Sequence, residues 1–431
     1  MRHLYTLLAL PVAIFFELRL WWRALWSQQT HHAWQQRLGQ RWGQTPIFAK
    51  APIWLHAVSV GEVQAVVPLL KQIINRYPDT PVLVTTMTST GADRLKQSLG
   101  EHVTHAYLPY DLPFAVKRFL KRSKPCIGLI METEIWPNLY HYAALESIPL
   151  MLINARLSHS SARSYGRFAG LTEKTLRCLD VVAAQTSADA ERFIALGVPH
   201  QRVFMTGNVK FDISIASSQI EEAEALRRIW GSSRSVWIAA STHDGEDEQV
   251  LQGFNLVQKT VPEALLVLVP RHPERFDKVE SLCQKHGLNV IRRSANTICS
   301  DDTHIFLGDS MGELAMFYAA ADVAFVGGSL VPIGGHNLLE PAAVGLPVII
   351  GPYTHNFEYI SELLLDKGAA RRVMDANELG LAVIEFLQEP NLRDNAGEQG
   401  RLVVEQNRGA VDRVKALIAK QLDPIIDSQY I

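Results

Sequence analysis

The sequence is poor in the residues that staple small folds or hold metals. Its four cysteines, Cys126, Cys178, Cys283 and Cys299, are widely spaced and form no CxxC pair. This excludes a disulfide framework and a cysteine-based zinc site, and fits a reducing compartment. Fifteen histidines occur without an HExxH run or a close His/Cys cluster, so no metal site and no cofactor are expected. There is no GxxxxGK[ST] and no well-placed GxGxxG, which disfavours a P-loop or dinucleotide site. An excess of charge of one sign is also lacking. The net charge of −2 over 431 residues gives no pull toward nucleic acid. A full apolar span is missing at the N-terminus: the run Leu4–Phe16 has 13 residues, against about 20 needed to cross a bilayer.

What is present is the composition of a globular chain, 47% hydrophobic and 20% charged, with a length suited to two domains. Charge is uneven at the start. Residues 1–50 carry Arg2, Arg19, Arg23, Arg37, Arg41 and Lys50 against one acid, Glu17. Arg19, Trp21, Trp22, Arg23 and Trp26 follow the apolar run, where a signal peptide would need a small-residue cleavage site. Tryptophans favour the headgroup level and arginines meet anionic lipid, so an uncleaved interfacial anchor is the favoured reading. A signal peptide and an ordinary buried helix are the alternatives. Positive charge after the run places the following chain on the cytoplasmic side. Arg37 and Arg41 are a candidate docking surface for lipid phosphates.

From Pro52 onward, short apolar runs alternate with helical patterns. Strands are expected over Ile53–Ser59, Val82–Met87, Ile127–Met131, Leu150–Asn154 and Val181–Ala184. The second half adds Val236–Ala239, Leu265–Val269, Val323–Val326 and Val348–Ile350. Such alternation predicts an α/β architecture: two doubly wound, Rossmann-like domains with parallel sheets covered on both faces. The polar stretch Ser214–Trp230 is a candidate linker, and Leu392–Lys420 reads as an amphipathic helix able to pack back on the other domain. The expected organisation is an anchor at 1–28, one Rossmann-like domain at 29–215 and a second at 216–431. Ligands of such sheets bind beyond the carboxyl ends of the strands, which predicts a central cleft faced by both halves.

The loops after strands carry the chemistry. His56-Ala57-Val58-Ser59-Val60-Gly61-Glu62 places Glu62 at a helix N-terminus. There it complements the helix dipole by about 0.3–1 kcal/mol, and the same dipole would weaken it as a base unless burial or a second carboxylate offsets it. Met131-Glu132-Thr133-Glu134-Ile135-Trp136-Pro137 sets two acids beside a Trp-Pro pair. A continuing strand would point Glu132 and Glu134 the same way. A carboxylate here could steady positive charge at an anomeric carbon; Glu134 could equally lie near the cap of a helix opened by Pro137. Arg156, Arg163 and Arg167 suit phosphate or carboxylate ligands, or a solvated helix face, and Lys210 in Gly207-Asn208-Val209-Lys210-Phe211-Asp212 is either an anion partner or an exposed hinge lysine.

In the second half Pro270-Arg271-His272-Pro273 forms a rigid loop with Arg271 placed for a phosphate. Ser310-Met311-Gly312-Glu313 turns into a helix whose N–H groups suit an anion or a base edge. Gly327-Gly328-Ser329 and Gly334-Gly335-His336-Asn337-Leu338-Leu339-Glu340 let backbone approach a ligand, with Glu340 able to accept from a ribose diol. Together these features point to a nucleotide-sugar site.

Taken in order, HAVSVGE, TTMTSTG, METEIWPN, NARLS, GNVKFD, PRHPER, GDSMGEL, GGSLVPIGGHNLLEPA and GPYTHNF make the chain resemble the 3-deoxy-D-manno-octulosonic acid (Kdo) transferases nearly end to end. The resemblance implies the GT-B fold with an N-terminal membrane anchor helix at the cytoplasmic side of the inner membrane. It implies metal-independent, inverting transfer of Kdo from CMP-Kdo to the lipid A precursor (lipid IVA) of lipopolysaccharide, without a cofactor. It assigns Glu62 as general base and Glu132 and Lys210 as transition-state stabilisers. CMP contacts fall to Pro270, Arg271, Met311, Gly312, Glu313, Asn337, Leu338, Leu339 and Glu340. Domain closure is expected, because base and nucleotide site lie on different halves. Two other classes stay in view: a sugar-nucleotide epimerase of the same fold, which would have no use for an anchor, and a non-catalytic nucleotide- or lipid-binding protein.

Overall fold

The computed structural model describes residues 1–26, 37–213 and 215–427. The expected boundary at 28/29 and the side chains of Trp21, Trp22, Arg23 and Trp26 lie outside what is described. The chain divides into two compact units, Met1–Lys210 with Arg408–Ile431 and Phe211–Asn407.

Among the described residues the first unit contains strands β1 (Ile53–His56), β2 (Val82–Thr86), β3 (Thr104–Tyr107), β4 (Ile127–Met131), β5 (Leu150–Ala155), β6 (Val181–Ala184) and β7 (Val203–Met205). They form one parallel sheet in the order β3-β2-β1-β4-β5-β6-β7. Central strands β1, β2, β4, β5 and β6 are buried along their whole length. That is why they read as continuous apolar runs and not as alternating ones. Ile53 pairs with Val82 on one side and Ile127 on the other. Strand order therefore reverses between β1 and β4, and a crevice for ligand opens at such a reversal.

The second unit repeats the plan with β8 (Val236–Thr242), β9 (Leu265–Pro270), β10 (Val290–Arg292), β11 (Ile305–Leu307), β12 (Val323–Val326), β13 (Val348–Ile350) and β14 (Ala370–Arg372). Their order is β10-β11-β9-β8-β12-β13-β14, all parallel, with the reversal between β8 and β12. Strands β3, β7, β10, β11 and β14 were not expected from sequence. They are three or four residues long, and all but β11 are half-exposed, so no long buried run marks them.

Three elements differ from expectation. Ser217–Trp230 is no linker: it is a helix that buries Ala223, Leu226 and Trp230 in the second unit's core, with Trp230 against Phe306 and Phe317. Its acidic residues occupy the outer face of an amphipathic helix, which reads as polar when taken alone. Ser214 lies outside the described residues. The C-terminal region is two helices, Pro390–Asn407 and Ala410–Asp427, parted at Gly409 with φ 87°. The second packs back on the first unit, as expected, and Ala410, Val411, Val414, Ile418 and Leu422 join its core. The stretch after residue 216 is thus shared between units and not a single domain. Burial at about 1.5–3 kcal/mol per large aliphatic side chain makes this returning helix a strong clasp, and Arg413 Nε adds a 2.7 Å bond to the Thr206 carbonyl.

The third is the N-terminus. Arg2–Trp26 forms one helix of 25 residues, and among the described residues no helix is long and apolar enough to cross a membrane. The helix docks on the first unit by its polar side. Thr6 meets Asn138 at 3.0 Å, Glu17 accepts from the Tyr110 hydroxyl at 2.5 Å, Arg2 lies over Tyr142, and Ala13 is buried against Leu112 and Ala115. Leu4, Leu7, Leu8, Val12, Phe15, Phe16 and Leu18 are left exposed. The usual amphipathic arrangement is inverted.

Candidate functional site

In the first unit the reversal between β1 and β4 gathers the acids. Ser59 caps the helix Val60–Arg76 with its hydroxyl toward the Glu62 N–H. This cap brings the Glu62 carboxylate back over the turn, where Oε2 accepts from the Val58 N–H at 2.8 Å. Burial pushes the Glu62 carboxyl up to about 7, and the charge of Glu132 adds to the rise; the Val58 N–H opposes it, Glu134 again raises it and Lys210 lowers it. The tension between helix terminus and basicity is therefore decided by burial and a neighbouring carboxylate.

Glu132 does not continue its strand. Its φ of 55° lies in the left-handed region, which turns the chain and costs about 1–2 kcal/mol for a residue with a Cβ. The turn is held by the Glu132 N–H on the Ile153 carbonyl at 3.0 Å. It separates Glu132 from Glu134 and overrides the alternation expected of an extended chain. Glu132 pairs with Lys210 Nζ at 2.9 Å, each side chain about one-fifth exposed (20% and 22%). Glu134 instead accepts from Trp136 Nε1 at 3.0 Å, and buried His56 brings Nε2 to 3.9 Å from it. Glu134 does not cap the helix Pro137–Leu145. Asp111 does, accepting the N–H groups of Asn138 and Leu139 at 3.0 and 2.7 Å.

Lys210 is aimed by a residue that sequence reasoning did not single out. Asn154, buried at the end of β5 with φ 51°, accepts the Val209 N–H on Oδ1 at 3.0 Å. The residue sits in a bulge where β5 slips against β6, a common device for re-aiming a chain near a site. Arg163 and Arg167 are exposed. Arg41 is not available as a lipid-docking group: it is 5% exposed, and its guanidinium donates to the Met87 and Leu108 carbonyls at 2.7 and 3.4 Å. Arg37 reaches the same Met87 carbonyl and lies over the Tyr107 ring. Both arginines shape the loop after β2.

In the second unit Arg271, half-buried at the end of β9, donates its N–H to the Thr242 carbonyl at 3.0 Å. Arg275 is tied down on Thr242 and Asp247. Met311 and Gly312 are exposed, and Glu313 is gripped by both arms of Arg293 at 2.9 and 3.2 Å. Asn337 accepts the Leu339 N–H at 3.1 Å and donates to Glu340 at 2.9 Å; Leu338 and Leu339 are buried beneath them.

The paired glycines after β12 serve a purpose different from the one expected. The N–H groups of Gly328, Ser329 and Leu330 all donate to Glu246, at 2.7, 3.1 and 2.9 Å, and His243 adds a fourth at 3.1 Å. Glu246 is 0% exposed. A Cβ on Gly327 would stand 2.7 Å from the Ser241 carbonyl and 2.8 Å from Glu246, so glycine is needed for this inward approach. The glycines admit a carboxylate of the chain itself. The signal for Glu246 was an acid soon after a strand at the reversal, in Ser241-Thr242-His243-Asp244-Gly245-Glu246. Among the described residues no three His, Cys, Asp or Glu side chains are placed to hold a metal ion.

The family described as 3-deoxy-D-manno-octulosonic-acid transferase (kdotransferase) matches residues 32–213, and glycosyl transferases group 1 matches 248–403. The chain is 41% identical over 393 residues to a 3-deoxy-D-manno-octulosonic acid transferase of Haemophilus influenzae, covering 90% of this chain and 92% of that one. It is 37% identical over 426 residues to one from Bordetella pertussis, covering 96% and 97%. Among solved structures, UDP-GlcNAc 2-epimerase from Neisseria meningitidis bound to UDP-GlcNAc superposes with a TM-score of 0.56 over 86% of this chain and 99% of that one; at 13% identity this shows the fold alone. Two parallel-sheet α/β domains of GT-B type and long, close relatives converge on one reading: the chain is a glycosyltransferase of the 3-deoxy-D-manno-octulosonic acid transferase family.

Proposed function

We propose that the protein transfers Kdo from CMP-Kdo to a hydroxyl of the lipid A precursor, with inversion and without a metal ion. The observation that carries this is Glu62, a carboxylate held near neutrality at the strand reversal with the Glu132–Lys210 pair beside it. A base titrating near 7 is suited to take a proton from an alcohol at cellular pH. As it does so, the acceptor oxygen bonds to the anomeric carbon and the bond to phosphate breaks, its electron pair leaving with CMP. Attack from the face opposite the phosphate inverts the centre. Glu132 and Lys210 steady the charge that develops on the sugar and on its carboxylate. On the second unit Pro270, Arg271, Met311, Gly312, Glu313 and Asn337–Glu340 hold CMP. One phosphate needs less countercharge than two, so arginine and backbone N–H groups suffice in place of a divalent cation.

The outward apolar face of Arg2–Trp26 supports an interfacial seat on the cytoplasmic side of the inner membrane. Polar groups fix the helix to the protein and leave Leu7, Leu8 and Phe15 for lipid. The test is product formation from CMP-Kdo and purified lipid A precursor in EDTA, with the anomeric configuration read by NMR. Product of inverted configuration supports the reading. Failure with EDTA but rescue by magnesium removes metal independence. No product with either, together with epimerisation of a nucleotide sugar, overturns the transferase reading of the substrates.

A further inference from the structure

Three histidines used by no step above stand together in the second unit. His243 follows β8, His272 follows β9 and His336 lies in the loop after β12, and these three strands are neighbours at the middle of the sheet. The Nε2 atoms of His243 and His336 are 2.8 Å apart. Their ring planes are 6° from parallel with centroids 5.0 Å apart, so the rings meet edge to edge. At that distance one nitrogen donates and the other accepts. The two rings form one titrating unit that carries either no charge or a single positive charge. His272 stands edge-on to His243, with centroids 5.4 Å apart.

The charges that act on the pair come from the loop after β9, and His355 after β13 stands against the His336 loop at Gly334. Arg271, His272 and Arg275 from the loop after β9 disfavour its protonation. Acids nearby are already engaged: Asp247 by Arg275, Asp244 by Lys278, and Glu246 by four backbone N–H groups. Burial first, then His272, Arg275 and Arg271, push His243 down to about 4; burial first, then His243, Arg271 and His272, push His336 down to about 3. The free pair is therefore neutral, and it sits in a basic setting whose acids are already taken. A bound anion would supply the missing countercharge.

We infer that His243 and His336 together take up one proton when the nucleotide phosphate settles beside Arg271, and so form a proton-linked part of the donor site. This rests on the reading of the second unit as the CMP site. A phosphate beside the pair favours the imidazolium, reversing the field that keeps it neutral. The added charge is worth most as the sugar–phosphate bond breaks. The electron pair then goes to the phosphate oxygen, a singly charged diester becomes a doubly charged monoester, the acceptor's proton rests on Glu62, and the pair keeps its own proton throughout. Because the protonated pair binds the anion, affinity for CMP falls as pH rises.

The experiment is calorimetric titration of the full-length protein with CMP at about pH 7.5, where CMP is already doubly charged, in two buffers of different ionisation enthalpy. Uptake of about one proton per CMP is expected for wild type, and almost none for H243Q and H336Q, whose affinity drops about tenfold. Wild type also decides the matter without any variant. Its CMP affinity should fall by well over tenfold between about pH 6.5 and pH 8.5; an affinity that is flat or rising across that range overturns the inference. So does CMP binding without proton uptake, or uptake undiminished in both variants. A wild type that binds no CMP at all removes the donor reading itself, and this inference with it.

Discussion

Both sheets reverse their strand order once, and both place a glutamate at the reversal, yet the two carboxylates do opposite things. Glu62 receives a single backbone N–H, faces Glu132 and is pushed up to about 7. Glu246 is fully buried and receives four backbone N–H groups. Burial raises Glu246 as well, but each of its four hydrogen bonds pulls the other way. Glu246 spends its acceptor capacity inside the fold and builds a loop; Glu62 keeps part of its capacity for a proton. Position at a strand end does not assign a role. The count of donors and the access of solvent do.

The largest effect that could break this contrast is at Glu62. E62Q should lower kcat by about a thousandfold or more while leaving CMP affinity unchanged, read by product formation beside calorimetry. Near-normal activity would reduce Glu62 to a helix-terminus residue and move the search to Glu132 and Glu134. Next is E246A, which leaves four buried N–H groups without an acceptor. It should destabilise the second unit by about 3–4 kcal/mol in denaturant unfolding, with little change in the midpoint of the first unit. Smaller again is K210A. Loss of the pair with Glu132 should cost about a hundredfold in kcat, and the acid limb of the rate should move to higher pH, because Lys210 lowers the Glu62 value.

A paired change on the N-terminal helix, L7E with F15E, should weaken binding to anionic vesicles about tenfold or more without altering thermal stability, since both side chains already face solvent. The smallest effect is on stability. Glu62 has a folded-state value above the ordinary one, so its ionisation costs stability. That cost is absent below about pH 4.5, grows as pH rises to 7 and is constant above. E62Q should therefore gain about 1–2 kcal/mol near pH 8 and nothing near pH 4.5, measured by urea denaturation at both values. A gain in stability beside a loss of activity would mark Glu62 as a site residue and not a packing one.

The doubly wound plan was legible because central strands of parallel sheets are buried on both faces, as in Ile127–Met131 and Val323–Val326, and so stand out as apolar runs. Edge strands such as Ala370–Arg372 carry no such mark. The place of Glu62 at a helix N-terminus was legible from a Gly-Glu step between strand and helix. The pairing of Glu132 with Lys210, 78 residues apart, was not, because it depends on the left-handed turn at Glu132 and on Asn154 holding Val209. The glycine loop misled for a similar reason. Gly327 and Gly328 announce close approach, but only packing decides whether the visitor is a phosphate or Glu246. Arg41 misled in the opposite sense, since a guanidinium bonded to carbonyls is buried without any acid beside it in sequence.

The most direct test of the central claim is the pH dependence of kcat/KM for Kdo transfer, wild type against E132Q. Wild type should show an acid limb near 7 that moves to lower pH when the Glu132 charge is removed. An acid limb in the ordinary carboxylate range, or one near 7 that E132Q leaves in place, would contradict the assignment of Glu62 as the base.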